Sequence, residues 1–568
     1  MTLPLPERAA LQRSSPYRRL PSPGLAVALV AAAAWTAAAP VGSAAQAPGP
    51  DTVPRAPAGD PNFGLRPPLT GCPLGARLAI VREEGACVRA RQTLLPSVPR
   101  VLTYLPLADG SLRATPMEMR GSWRSGYPAD RNDGLLWSGR GLSASVTGGM
   151  EARWRRYALV LAPELARSAN RSFLLPDTVS PGWSRYADPW NTPGLDRYLR
   201  PGEGPVTWLG WGDSYMEAGV GPARLGLSTE RLWWGPARRY PLLFSGSGPG
   251  FPHVYAESDG EIALLSGGVR VRALGGHLDE SDWFDADEGN DRRLLAAAQL
   301  AWRLGFVPGA EVALSVVRHE PLPDGGTGVL RWTQIATGDP EGEPHQRRGS
   351  GMSTLSFRLS FPGEGIEAYG EVGHGVFFTN AIPGVSDASH AQVYTLGMTR
   401  SDISPGGVHW RFWGELTRQS LETPQPAASR AAVTLRAPSL PHGHTHRGQL
   451  LGSWIGPGSN AQIVGLDFPG DAGSLGFFAE RVRRDDDTYV RVHYADHGFR
   501  AYDLEWTLGA RGARSLSLGP GGTLQLHAEG GISRRKNRSF VGLDWGRNWT
   551  WVREWNRWLD LRLLWTPE

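Results

Sequence analysis

The chain has 568 residues, with 59 Lys and Arg against 55 Asp and Glu, a formal charge of +4. Four arginines and one glutamate fall in the first 45 residues, so the rest carries about +1 and offers no electrostatic footprint for nucleic acid. Lys536 is the single lysine, which removes nearly every lysine-based catalytic scheme.

In chain order, Arg8, Arg13, Arg18 and Arg19 form a positive start, and Leu25 to Ala39 is an uncharged, Ala-rich stretch. Ser43-Ala44-Ala45 then supplies a small-x-small cleavage site, so residues 1–45 read as a secretory signal peptide. The apolar stretch is short of the ~20 residues a membrane-crossing helix needs. Residues 46–95 form a Pro-rich linker and a small N-terminal periplasmic segment, with Pro48, Pro50, Pro54, Pro57, Pro61, Pro67 and Pro68 against core formation. The two cysteines, Cys72 and Cys87, lie here, and in an exported chain such a pair is expected to form a disulfide. Closing so short a loop is worth about 3 kcal/mol on the chain-entropy model. No histidine lies nearby to complete a tetrahedral metal set.

Residues 96–568 are dominated by alternation of period two, and the fold expected is all-β. Leu355-Ser356-Phe357-Arg358-Leu359-Ser360-Phe361 puts apolar side chains on one strand face and Ser, Arg and Ser on the other. The stretch Val408 to Leu416 repeats this with larger aromatics, as do Leu504 to Leu508, Leu524 to Ala528 and Leu559 to Trp565. Turn clusters such as Pro362-Gly363-Glu364-Gly365 and Gly519-Pro520-Gly521-Gly522 separate them. A soluble sandwich and a transmembrane antiparallel β-barrel both use such strands. The polar faces carry Arg, Glu, Asp or His at every second position, which a barrel with lipid outside and a polar lumen inside requires. Short turns also alternate with long polar connections such as 319–350. Trp545, Trp549, Trp551, Trp555, Trp558 and Trp565, among 23 tryptophans, crowd the last strands where an aromatic girdle belongs.

Catalytic constellations are missing from the sequence. No Gly-x-Ser-x-Gly opens a helix after a strand, and no Walker or dinucleotide fingerprint occurs. Glu367 and Glu371 share a strand face, but four residues span ~13 Å, beyond the ~6.5–9.5 Å of an inverting glycosidase pair. His442, His444 and His446 invite a metal reading, yet without a fourth ligand they read as a polar loop. The acidic run from Asp279 to Asp291, around Trp283 and Phe284, lacks EF-hand spacing and reads as a solvated loop. No metal, cofactor or catalytic residue is expected, and the chain reads as a non-enzyme.

Between residues 228 and 252 the run Ser228-Thr229-Glu230-Arg231-Leu232-Trp233-Trp234-Gly235-Pro236 precedes Arg238-Arg239, Leu242-Leu243-Phe244-Ser245 and Pro249-Gly250-Phe251-Pro252. This resembles the signature of the Wzi-type capsule assembly proteins, with Arg231 where Asn is usual. Asn132-Asp133-Gly134, Gly212-Asp213-Ser214-Tyr215 and His446-Arg447-Gly448 with Gly456-Pro457-Gly458 are similar to other stretches of that family. The resemblance covers roughly residues 95 to 568. It implies a barrel of about eighteen antiparallel strands in the bacterial outer membrane. It also implies a role in attaching capsular or extracellular polysaccharide to the cell surface, by a monomer whose partners are polysaccharide and outer-membrane lipid. Glu230, Trp233, Trp234, Arg238 and Arg239 are the ligand-binding candidates, because indoles stack on sugar C–H faces and guanidinium groups grip hydroxyls or carboxylates. The alternative is architectural: the two indoles alternate on a strand, one against lipid and one against a plug. Two other functions fit the pattern, a diffusion pore of porin type and a glycan-modifying outer-membrane enzyme.

Overall fold

The computed structural model describes residues 104–107, 110–177, 182–190, 194–264, 267–285, 287, 290–322, 350–361, 364–374, 392–404, 407–420, 442–470, 473–492, 501–542 and 552–567. The signal peptide, the linker, Cys72 and Cys87 lie outside them, as do Trp545, Trp549 and Trp551.

Among the described residues, 24 strand segments join one sheet whose strand pairings are antiparallel. From Gly267–Asp279 onward each long strand pairs with the next, through Arg292–Arg303, Ala310–Pro321 and Ser350–Phe361, down to Thr523–Lys536 and Arg553–Thr566. The last strand then pairs with an early one, from Trp558↔Arg124 to Trp565↔Met117. Met117–Arg124 bonds Gly141–Thr147 on its other edge, and the pairings continue around to Gly267–Asp279. The ring therefore closes, which leaves no open edge to satisfy in hydrocarbon.

Alternation decides which way each side chain points. In Asn460–Pro469, Ala461, Ile463, Gly465 and Asp467 are buried while Gln462, Val464, Leu466 and Phe468 are exposed. Leu355, Leu396, Phe412, Leu416, Leu508 and Leu559 likewise stand exposed on the outer face. Arg120, Gln299, Glu371, Glu415 and Arg535 point inward and are buried. Such a surface fits lipid outside and a polar lumen inside. Leu396→Arg, near the middle of Gln392–Ile403, is expected to destabilise the barrel by about 2–4 kcal/mol, measured by urea unfolding in lipid vesicles. An unchanged unfolding midpoint would show that this face does not meet lipid.

The tryptophan pattern is only partly a girdle. Trp555, Trp506, Trp154 and Trp565 are exposed on the outer face. Trp558 instead turns into the lumen, packing on the Phe478 cluster and donating its indole N–H to Ser533 Oγ at 3.2 Å. It lies one strand step from Leu559, which faces out, so register alone sends it inward.

Short turns, such as Arg155-Arg156, Gly221-Pro222 and 518–522, gather at the end of the barrel where the last strand finishes. Long connections leave the other end. Four of these, 125–140, 182–201, 229–252 and 442–459, carry many buried residues and fill the lumen rather than stand in solvent.

Candidate functional site

Three of the filling segments contain motifs singled out in the sequence, the fourth motif, Gly212-Asp213-Ser214-Tyr215, leads into the wall strand Tyr215–Val220, and the structure brings all four together. Trp233–Trp234 pairs with Phe244–Ser245 as a two-stranded piece separate from the barrel sheet. Thr445–His446 pairs with Gln449–Leu450 as a second one. Ser245 N–H donates to Leu451 O at 2.9 Å and its hydroxyl to Gly452 O at 2.6 Å, which ties the two pieces to each other. The Asn132 amide donates to Ser247 Oγ at 3.1 Å. Arg231 spans the third junction, with Nη2 at 2.7 Å from Asp213 and Nη1 at 2.5 Å from Asp133. The residue that departs from the family pattern is thus matched by two carboxylates from the other motifs.

Neither tryptophan of the pair lies on a barrel strand, so neither occupies a lipid-facing register position. Trp234 is 1% exposed, edge-on to Phe244 at 5.0 Å, in a core with Leu243, Phe251, Leu295 and Val317. Trp233 is half-buried beside it. Glu230 is buried and accepts from Ser228 Oγ at 3.2 Å.

Past this pair the chain crosses the lumen, and glutamates from the barrel wall hold it. Glu371 accepts the Ala237 and Leu242 amides at 3.0 and 2.8 Å. Glu415 accepts the amides of Arg238, Arg239 and Tyr240 at 2.8, 3.0 and 2.6 Å, and the Tyr369 hydroxyl at 2.9 Å. Glu480 takes Arg239 Nε at 2.9 Å and the Tyr240 hydroxyl at 2.5 Å, and Glu529 takes Arg239 Nη1 at 3.2 Å. Arg238 Nη2 meets Glu367 at 2.5 Å. A carboxylate with two acceptor oxygens suits a segment without strand partners, because each exposed amide would otherwise be an orphan donor. Gly235 has a φ of 98°, and a Cβ there would sit 2.2 Å from Glu371 Oε1. Glycine is what lets that carboxylate close on the segment.

Sequence reasoning noticed Glu367 and Glu371 only as a failed catalytic pair, and it missed Glu415, Glu480 and Glu529. The usable signal was an inward glutamate in mid-strand, a costly placement in a lumen that lacks partners.

The histidine triplet differs from the polar loop expected. His442, His444 and His446 are buried, and each ring has a specific neighbour. His444 Nε2 lies 2.7 Å from Leu243 O and its Nδ1 2.8 Å from His319 Nε2, while His446 Nδ1 accepts the Asp279 amide at 3.1 Å. His442 bonds Glu280. Burial holds the His444 imidazole down to about 4 and, with Arg293, that of His442 down to about 3. Burial and the charges of Asp285 and Asp291 push Glu280 up to about 8. The acidic run is therefore only partly solvated: Glu280 is buried, and the Ser281 hydroxyl bonds Asp196 at 2.6 Å. Among the described residues no group of three His, Cys, Asp or Glu side chains is placed to hold a metal.

At the long-connection end, aromatic rings remain half-buried. Trp183 meets Phe284 edge-on at 4.5 Å, and Trp283 meets Tyr198 at 5.2 Å. Arg185 lies over the Tyr186 ring at 5.3 Å. At the opposite end, below the filling segments, lies a cavity of about 180 Å3.

A closed antiparallel ring with an apolar outer face and a charged, occupied lumen is the architecture of an outer-membrane β-barrel. No family model matches the sequence, and no curated protein does. Among solved structures, the chain is similar to Wzi of Escherichia coli, described as an outer-membrane protein involved in group 1 capsule assembly and a carbohydrate-binding β-barrel. That match has a TM-score of 0.51 at 9% identity, over 78% of this chain and 83% of that one. Pseudomonas aeruginosa OccK2 in complex with glucuronate gives 0.39 at 13%, over 80% and 98%. Acinetobacter baumannii OccAB2 gives 0.38 at 9%, over 80% and 98%. The protein is an outer-membrane β-barrel and resides in the bacterial outer membrane.

Proposed function

We propose that this barrel holds capsular or extracellular polysaccharide at the cell surface and does so without catalysis. The observation that carries the reading is the lumen-crossing segment 235–242, fastened by Glu367, Glu371, Glu415, Glu480 and Glu529. A free diffusion path needs an unobstructed lumen, whereas an anchor benefits from a filled and rigid one. In this reading Glu230, Trp233, Trp234, Arg238 and Arg239 shape the plug, and contact with the glycan falls to aromatic rings at the long-connection end. Trp183, Tyr186 and Trp283 keep partly open surfaces there, and sugar C–H faces stack on such rings. The resemblance of the 228–252 run, and the carbohydrate binding stated for Wzi, support this assignment.

The test replaces Trp183 and Trp283 together by Ala. Polysaccharide retained on cells is expected to fall by about fivefold or more, two stacking contacts being worth about 1–3 kcal/mol in all. Heat-dependent gel mobility should stay that of an assembled barrel. Wild-type protein should give no steady conductance in planar bilayers. Retention unaltered in the double variant rules out these rings as the contact, and a wild-type open channel favours the pore.

A further inference from the structure

We infer that the cavity beneath the plug is a second saccharide site, one that takes a single pyranose ring bearing a carboxylate. The inference deepens the polysaccharide reading and rests on it for the ligand class. The cavity lies between the plug, at Asp130–Asp133 and Trp454, and the wall made by Met117–Arg124 and the last strands. Its lining reaches Ser474, the second residue of Gly473–Arg484, and Ala513, both toward the short-turn end. A ligand therefore has its route in from that end, where no filling segment intervenes among the described residues.

Size sets the first limit. A cavity of ~150 Å3 accommodates a benzene-sized ring, so 180 Å3 suits one six-membered sugar ring. The wall chemistry is amphipathic in the way a pyranose demands. Trp558, half-buried, supplies ring surface, with the buried Trp454 and Tyr127 and charged side chains around it.

Charge gives the class. Seven arginines and seven carboxylates line the cavity, and six of the arginines are committed. Arg120 pairs with Asp133, Arg124 with Asp560, Arg239 with Glu480, Arg484 with Glu505, Arg511 with Asp467, and Arg562 with Glu118. Arg131 is the exception: it has no hydrogen bond or ion pair to any described residue, and its nearest carboxylates already serve Arg239, Arg120 and Arg124. Burial and the like charge of Arg239 hold this guanidinium below its usual range. An uncommitted guanidinium in a shielded cavity is relieved by an incoming carboxylate, which can bind it in two parallel hydrogen bonds. Ser122 Oγ and Asp560 Oδ1, in the same wall, also have no hydrogen-bond partner, so polar capacity is left for ring hydroxyls after small shifts.

The experiment is calorimetric titration of the full chain in detergent with D-glucuronate, D-glucose and acetate as probes. Glucuronate is expected to bind at least about tenfold more tightly than either of the others, since a charge-assisted pair and the ring contacts contribute separately. Arg131→Ala should weaken glucuronate by about tenfold or more and leave glucose unchanged, while Arg131→Lys, which keeps the charge, should recover part of the loss. Heat-dependent gel mobility verifies assembly, and if the Ala variant fails it, Arg131→Gln, of similar reach, is read instead. Glucuronate binding no better than glucose overturns the anionic assignment. Acetate equal to glucuronate overturns the sugar ring. Wild-type affinity in the Ala or Gln variant overturns the role of Arg131. None of these outcomes depends on retention at the cell surface, so loss of that phenotype with glucuronate binding intact would sink only the surface-holding function.

Discussion

Arg239→Ala is expected to unseat the plug while leaving the barrel standing. The substitution strands the buried carboxylates of Glu480 and Glu529, which sit on neighbouring parts of the wall and lose their principal cation together. Breaking a buried pair by removing one partner costs about 3–5 kcal/mol. The loss falls on the lumen-crossing segment, because the strands Gly473–Arg484 and Thr523–Lys536 are held by their own backbone ladders. Steady conductance should therefore appear in planar bilayers, and protease added to intact cells should cut near 229–252. Heat-dependent mobility should remain that of a closed barrel. Conductance and cleavage both staying at the wild-type level would mean that the segment is held by its apolar contacts alone, with Trp234 and Phe244 as its anchors.

Glu415→Ala tests the same segment through its backbone. Three consecutive amides, of Arg238, Arg239 and Tyr240, lose their acceptor, and the Tyr369 hydroxyl loses its own. Each buried donor left unsatisfied costs about 1–3 kcal/mol, so the variant should open the lumen at least as far as Arg239→Ala. Glu415→Gln keeps one carbonyl oxygen and should give an intermediate conductance. Combined with Arg239→Ala, the loss should be less than additive, since both substitutions release one element that can leave only once. A strictly additive pair would place the two residues on independent parts of the plug.

The strands were readable because their signal is local. A period of two over Leu355 to Phe361 needs only the knowledge that successive side chains face opposite ways. The structure places Leu355 and Phe361 outside and Ser356 and Arg358 inside, as that alternation implies. Trp558 shows the limit of the same reasoning: abundance of Trp suggested a girdle, but its place in the register put it in the lumen. For His442, His444 and His446, composition suggested a polar loop, and burial beside Leu243 and His319 shows polar groups with partners from distant segments.

The sequence by itself determined that this chain builds strands with one apolar and one charged face, and it favoured an outer-membrane barrel over a soluble sandwich. It also marked the 228–252 run as special. Only the tertiary structure decided what that run packs against. Trp and Arg beside each other suit a sugar and a plug equally well, and the choice depends on what surrounds them. Arg239 finds Glu480 and Glu529, 241 and 290 residues further along the chain, and the Tyr240 amide finds Glu415, 175 residues away. Period-two alternation reports on one strand and its two faces. Which inward glutamate meets which crossing amide depends on ring closure and on the register of strands far apart in the chain, and no local pattern encodes that.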